Sequence, residues 1–439
     1  MTVMKRHVFK LIAAFLVLIC AAAPAFSLSL EDAKALAVEN SSTLKEKAFS
    51  YEKTMNELGV SIFVPSLSLN STIGLVSVDK NTNLQDFVLK PSVSVNAGIS
   101  WSLSSTDFYG KSKDRLSAEN AALEYKSAVE GVKNSTETSY WNLVSLRYAV
   151  DKAEENLRTA ESSLSRTLEL YEASRTSRLS YVQARLSYSD SQLSLESAKS
   201  NYALALAQFC QSLGIEEQED MEFDSVPEID RIEISSEKVA LLKQMLMNSS
   251  SVTMAKNTER ISQINAAVTE MNAMVPVVSL STKLNYSPSI VNETVSENYT
   301  GSASVSISVP LDSYIPGSRQ NANVKNAEID RQRAKLSYES TVKKLEDSVD
   351  DILTSVNALI ANRGNLVSHL EYAQANLELV SEAYENGYAS FADYEKAQSS
   401  LSSAQSQIDS NRFSIITRIC SLAGILDTDA ASIIEILER

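Results

Sequence analysis

Apolar residues recur at alternating three- and four-residue intervals along most of this chain, and at strict two-residue intervals in two short stretches. Val342, Leu345, Val349, Ile352, Val356 and Leu359 keep the first rhythm, and Leu370, Ala373, Leu377, Val380 and Tyr384 resume it. Leu143, Leu146, Val150, Ala153, Leu157, Ala160 and Leu164 do the same in the first half. Such a seam belongs to a long helix packed lengthwise against others. The spacing predicts a long helix over 107–173 with a return helix over 178–213, and a second pair over 318–386 and 390–423. Shorter helices are predicted over 30–63 and 236–275. At about 1.5 Å per residue each long helix approaches 100 Å.

In Ser92–Leu103 the period changes to two. Val93, Val95, Ala97, Ile99, Trp101 and Leu103 alternate with Ser92, Ser94, Asn96, Gly98, Ser100 and Ser102. Ser66–Val78 alternates less strictly, and the polar run Asp79–Lys90 separates the two. This predicts a β-hairpin over 66–103 with one apolar and one small-polar face. A second hairpin is predicted over 277–309: Val278, Leu280, Leu284 and Tyr286, a loop from Pro288 to Asn298, then Ala303, Val305, Ile307 and Val309. Lys283 is the one charge in the strands so drawn, and it falls on the polar face. Pro65, Pro91, Pro276 and Pro310 bracket the strands, as proline does at strand ends.

The two halves repeat one another. Tyr384-Glu-Asn-Gly387-Tyr-Ala-Ser390-Phe-Ala-Asp393-Tyr-Glu-Lys-Ala397 has the frame of Tyr171-Glu-Ala-Ser174-Arg-Thr-Ser177-Arg-Leu-Ser180-Tyr-Val-Gln-Ala184. Each half therefore reads as helix, hairpin, long helix, return helix: residues 28–213, then 235–439 with a C-terminal tail, joined by an acidic linker at 214–234. That linker carries nine acids and one arginine between Gly214 and Glu233, reads as a solvated connector, and lacks the residue order of a calcium loop.

A half-buried sheet in a soluble protein is one reading of the hairpins. It leaves unexplained why single hairpins sit between very long helices and why their polar faces hold serine rather than charge. A membrane barrel accounts for both, with apolar residues toward lipid and small polar ones toward water. Four strands cannot close a barrel and open edges are forbidden in lipid, so several chains would have to share one.

Composition narrows the partners and the chemistry. Only 11 glycines and 8 prolines occur, which favours long helices, and the net charge of −15 argues against a nucleic-acid partner. Lys5 and Arg6 precede an apolar run, Leu11–Ala23, and small residues follow, which predicts an export signal over 1–27. Cys20 also admits a lipid-attachment reading. Cys210 and Cys420 occupy equivalent places in the two halves and read as small buried apolar residues, although an exported chain permits a disulfide. Beyond the signal the one histidine is His369, expected to pack beside the helical seam. No metal-ligand spacing, phosphate loop or nucleophile elbow occurs, so neither catalysis nor a cofactor is expected.

On the twofold repeat, the proline before each hairpin, Val309-Pro310-Leu311 followed by Gly317, and the turn Tyr384-x-x-Gly387-x-x-Ser390-x-x-Asp393-x-x-x-Ala397, the chain resembles the TolC-like outer-membrane efflux proteins. The resemblance implies a fold that is mainly α with a small β part: long antiparallel helical hairpins forming an α-barrel tunnel, and four strands per chain in a 12-stranded barrel shared by a homotrimer. It implies a passive duct across periplasm and outer membrane, for a tripartite efflux pump or a type I secretion system. Its partners would be a periplasmic adaptor, an inner-membrane transporter of the RND, ABC or MFS class, and outer-membrane lipid. Tyr384, Asp393 and Ser180 match positions of the periplasmic aperture, and Ser174, Ser177, Gly387 and Ser390 match the helix turns that adaptors touch. Val93, Val95, Ile99, Trp101, Leu280, Val305 and Ile307 would face lipid. The chain departs from the family at Ser174, where glycine is usual, at Ser180, where an aspartate is common, and at Lys396, which replaces an acid. Asp393 has a second reading as a helix cap. The competing reading of the whole is an exported structural coiled-coil protein without channel activity.

Overall fold

A computed structural model describes residues 28–59, 64–74, 92–217, 221, 223–229, 231–291 and 294–438. The expected export signal over 1–27 and the loop Asp79–Lys90 lie outside the described residues. In chain order the elements are α1 (Leu30–Asn40), α2 (Ser42–Leu58), β1 (Ser66–Gly74), β2 (Ser92–Leu103), α3 (Ser105–Glu172), α4 (Arg178–Leu213), α5 (Ser236–Met247), α6 (Ser250–Met274), β3 (Val277–Val291), β4 (Thr294–Ser308), a short 3₁₀ turn (Asp312–Tyr314), α7 (Arg319–Glu385), α8 (Phe391–Leu426) and α9 (Ala430–Glu438).

Each predicted short helix is broken in two. Ser41 leaves α1 in extended backbone, and Ser249 caps α6 by accepting the Val252 amide at 3.4 Å. The breaks fall at Asn40-Ser41-Ser42 and Asn248-Ser249-Ser250, a repeated tripeptide. Asn and Ser side chains compete for backbone hydrogen bonds and so interrupt helices. The predicted tail after 423 is helical: α8 continues to Leu426, and α9 buries Ala430, Ile433 and Leu437.

The chain divides into two compact units. One comprises the residues up to Ser42, Val129–Val239 and Asp350–Arg439. Its core buries the seam residue Val356 with Ile415, Ile419 and Leu422, all fully covered, together with the aromatic side chains of Tyr140, Trp141 and Phe209. Leu359 lends its carbonyl to Asn411 Nδ2 at 3.1 Å. Cys210 and Cys420 are buried and not joined in a disulfide, and burial first, then the nearby charge of Glu137, pushes the Cys420 thiol up to about 12. Beside it Lys34 and Glu137 form a buried ion pair at 2.9 Å. Burial works against the Lys34 charge, yet hydrogen bonding and the charges of Glu137 and Glu31 raise its pKa on balance.

The linker is not a solvated connector. Met221, Ile229 and Ile232 are buried, and Arg412 donates to the carbonyls of Val226 and Pro227 at 2.8 and 3.0 Å. The fully buried Tyr140 donates to the Leu28 carbonyl at 3.2 Å and accepts the Asp224 amide at 2.7 Å. Asp224 in turn accepts the Leu30 amide at 2.7 Å. The acids in this segment supply solubility while its interleaved apolar residues pin it down, an alternation too short to read as an element. His369 is exposed in the chain rather than packed beside the seam.

The second unit comprises Thr43–Ala128 and Ala240–Val349. It holds a four-stranded antiparallel sheet in the order β1-β2-β3-β4. The hairpins are therefore joined edge to edge by β2 and β3, from Leu103 opposite Val278 to Val95 opposite Tyr286. Strands β3 and β4 run past the expected boundary, so the described residues of the loop expected at 288–298 are strand: Pro288 lies in β3 opposite Glu297. The ladder with β2 has already ended there, so Pro288 sits on a local edge where its missing N–H costs no pairing.

Candidate functional site

The two helix turns belong to the first unit and share one construction. At the end of α3, the Arg175 amide donates to the Leu170 carbonyl at 2.7 Å and the Ser174 amide to the Tyr171 carbonyl at 2.9 Å. At the end of α7, Tyr388 donates to Ala383 at 2.8 Å and Gly387 to Tyr384 at 3.1 Å. Both are Schellman closures, which require a left-handed residue after the helix. Gly387 takes it at φ 76°, and Ser174 takes it at φ 57° with a Cβ present. Ser174→Gly is expected to stabilise the turn by about 0.5–1 kcal/mol, since glycine enters this region without steric cost. Thermal unfolding of the two proteins checks it; an unchanged or lower midpoint would mean that the serine side chain does something the backbone argument omits.

Each return helix then starts on a serine. Ser177 caps α4 by accepting the Ser180 amide at 3.1 Å, and the two hydroxyls lie 3.0 Å apart. Ser390 caps α8 by accepting the Asp393 amide at 3.2 Å, while Asp393 accepts both the Ser390 hydroxyl at 2.6 Å and its amide at 3.1 Å. This is a reciprocal capping box. The Ser390 hydroxyl and amide, with Lys396 nearby, hold the Asp393 carboxyl below its ordinary value. A carboxylate lowered on folding contributes stability above its unfolded pKa, and that contribution is lost as pH falls through the folded one. Amide exchange at the first turn of α8 is therefore expected to accelerate below about pH 4, with no matching change in α4, where Ser180 does not titrate.

Aromatic stacks brace both turns. Tyr171 lies on Tyr181 at 5.5 Å and 11°, and Tyr384 on Tyr394 at 5.4 Å and 19°, with Phe391 edge-on to Tyr384 at 6.1 Å. The repeated tyrosines were visible in the sequence frame; their pairing across the turn was not. Two further contacts join α3 to the end of α7. Arg166 donates to Glu385 at 3.0 Å, and the Tyr384 hydroxyl lies 3.5 Å from Thr167, whose own hydroxyl donates to Ser163. Periodicity carries no signal for Arg166, which lies off the seam; Thr167 falls in step with it, three residues after Leu164, and is buried, but its polar side chain does not mark it as a seam residue. Of the expected aperture residues, the structure brings Tyr384 against α3 and commits Asp393 and Ser180 to caps. Ser174, Ser177, Gly387 and Ser390 are all exposed at the turns.

In the second unit the register sorts the strand residues into two faces. One carries the rows Leu103–Val278–Ile307, Trp101–Leu280–Val305 and Leu67–Ile99–Thr282–Ala303, and continues through Val95–Tyr286–Tyr299 to Ile73–Val93 and Pro288–Glu297. Val305 and Ile307 are 70% and 67% exposed in the chain, and Val93, Ile99 and Leu280 are exposed as well, while Val95 and Trp101 are half-buried. The other face carries Ser66–Ser100–Ser281–Ser304 and Asn70–Asn96–Asn285–Thr300. Its serines pair across strands: Ser66 with Ser100 at 2.7 Å, Ser281 with Ser304 at 2.8 Å, and Ser279 with Ser306 at 2.7 Å. Strands β1 and β4 are the edges of the sheet. Among the described residues no helix is long and apolar enough to cross a membrane.

Residues 241–426 match the model of the family described as outer membrane efflux protein. In fold, the chain is similar to CusC, whose structures were described for folding and transmembrane channel formation: TM-score 0.74 at 16% identity, covering 93% of this chain and 95% of that one. It is also similar to the Campylobacter jejuni CmeC outer membrane channel, with TM-score 0.72 at 16% identity over 93% of this chain and 89% of that one. The Neisseria gonorrhoeae MtrE outer membrane channel, solved in an open state, gives TM-score 0.70 at 17% identity over 91% and 89%. No curated relative matches the chain in sequence. At these identities the likeness establishes the fold alone: a mainly helical chain with one small antiparallel sheet.

Proposed function

We propose that the chain is one protomer of a homotrimeric outer-membrane duct for export, served by a periplasmic adaptor and an inner-membrane transporter. The observation that carries the reading is the sheet. Its apolar face is exposed, its polar face is nearly free of charge, and β1 and β4 are left as edges. In lipid those edges must pair, and β4 of one copy against β1 of the next, three times over, closes a 12-stranded barrel. Tyr286 and Tyr299, 4.9 Å apart toward one end of the apolar band, and Trp101 near the other supply the aromatic belts expected at the two lipid–water boundaries. An exposed column on α4, Leu179, Val182, Leu186 and Leu193, keeps the three- and four-residue rhythm of a coiled-coil seam and fits contact with a neighbouring copy.

The helix turns are then the periplasmic mouth. Tyr384, Asp393 and Ser180 would line it, and Arg166–Glu385 with Thr167–Tyr384 would hold it narrow. Three Asp393 carboxylates would favour cations there. Asp393→Asn keeps an oxygen for the cap and removes the charge, so it is expected to lower cation selectivity in a planar bilayer; unchanged selectivity would leave Asp393 a cap alone. The reading as a whole is tested by native mass and conductance after extraction from membranes. A detergent-dependent trimer that conducts supports the duct. A monomer soluble in plain buffer would overturn it in favour of a structural coiled-coil protein.

A further inference from the structure

The polar face of the sheet is built from serine, threonine, asparagine and glycine, with Val277 and Val291 at the ends of β3 and one charged residue, Lys283, among the described residues. Lys283 is exposed and lies in the middle of β3, between the Trp101–Leu280–Val305 row and the Tyr286–Tyr299 pair. Its row is Ser68–Gly98–Lys283–Ser302. Gly98 fits this neighbour. A Cβ there would lie 3.1 Å from Ser68 Oγ and 3.9 Å from Lys283 Cγ, so the bare backbone leaves the lysine stem room along the sheet. Extension of β4 adds one more charge, Glu297, but strand alternation puts it on the apolar face beyond Tyr299, whose hydroxyl donates to it at 3.1 Å. No carboxylate therefore shares the polar face with Lys283 among the described residues.

We infer that Lys283 makes the barrel passage favour anionic solutes. The inference rests on the trimeric-barrel reading, in which the serine face lines the water-filled lumen and three copies of Lys283 form a cationic ring at mid-depth. A ring of like charges sets the preference of a pore, and low-dielectric walls focus its field toward the axis. The lumen of a barrel this size is wide, so the field reaches a passing solute only when salt does not screen it: over about 30 Å at 0.01 M but about 8 Å at physiological strength. The preference is thus a property of the barrel itself, separate from any selection at the helix turns.

The test is current block by inorganic tripolyphosphate added on the barrel side of the full-length trimer in a planar bilayer at about 0.01 M salt. Wild type and Lys283→Arg are expected to be blocked reversibly, and Lys283→Gln to bind the polyanion at least about tenfold more weakly. Ser302→Glu, which sets a carboxylate opposite the lysine, is expected to relieve the block in the same way without altering Lys283. A conducting Lys283→Gln or Ser302→Glu trimer that is blocked as tightly as wild type overturns the inference while leaving the duct intact. A wild-type protein that neither trimerises nor conducts overturns both.

Discussion

Ile99→Arg is expected to prevent assembly in the membrane, whereas Ser100→Arg, its immediate neighbour, is expected to permit it. Ile99 lies in the row Leu67–Ile99–Thr282–Ala303, midway along the apolar face, and is 48% exposed in the single chain. A cation at the bilayer midplane of a barrel's lipid face costs about 2–4 kcal/mol per copy, and a homotrimer carries three copies. Ser100 belongs to the serine row with Ser66, Ser281 and Ser304, where an added charge meets lumen water. The measurement is the fraction of each variant recovered as trimer from the membrane. Equal recovery of the two would sink the assignment of faces, since a sheet buried in a soluble protein would penalise the apolar side differently and a two-sided wet sheet would not discriminate.

Glu137→Ala is expected to destabilise the first unit by about 3 kcal/mol, because it leaves the buried Lys34 charge with only the exposed Glu31, 3.2 Å away, as its counter-charge. The two side chains are 10% and 6% exposed at a separation of 2.9 Å, and the adjacent Cys420 is buried as well. Combining Glu137→Leu with Lys34→Met is expected to restore most of the loss, since an apolar pair of similar volume needs no compensation. Because the Lys34 pKa is raised on folding, the pair's contribution is complete below the unfolded value of about 10.4 and is lost as pH rises through the folded one. Denaturant unfolding of the single and double variants separates the cases. A double variant as unstable as Glu137→Ala would mean that shape, not charge, dominates there.

The strict alternation of Ser92–Leu103 gave β2 residue by residue, because a strand with one apolar and one polar face has no freedom to deviate. The same rule stopped short at Pro288: proline looked like a boundary, and only the register shows that its free side faces no partner strand. The heptad seams located α3, α4, α7 and α8 to within a few residues, yet Asn40-Ser41-Ser42 and Asn248-Ser249-Ser250 passed unnoticed as breaks, since two helices in line keep the periodicity of one. At the turns, the matching serines and tyrosines were legible as a repeat. Their division of labour was not: the sequence does not say that Asp393 spends its oxygens on Ser390, or that Arg166 reaches Glu385 across more than 200 residues. Long-range pairs of exposed polar residues leave no period to read.

The knot around Tyr140 bears on the order in which the chain folds. Its hydroxyl spans from Leu28 to Asp224, and the carbonyl of Leu437 in α9 receives both the Glu233 amide at 3.0 Å and the Lys238 ammonium at 2.7 Å. These closures join residues 112, 84 and 199 positions apart. Loops of that length reward the chain only after their closure entropy has been met, so they form late and slowly. The helical hairpins can zip locally as each emerges, but this layer cannot lock until residue 437 has arrived. Release of the final helix is therefore the step that separates an open first unit from a closed one.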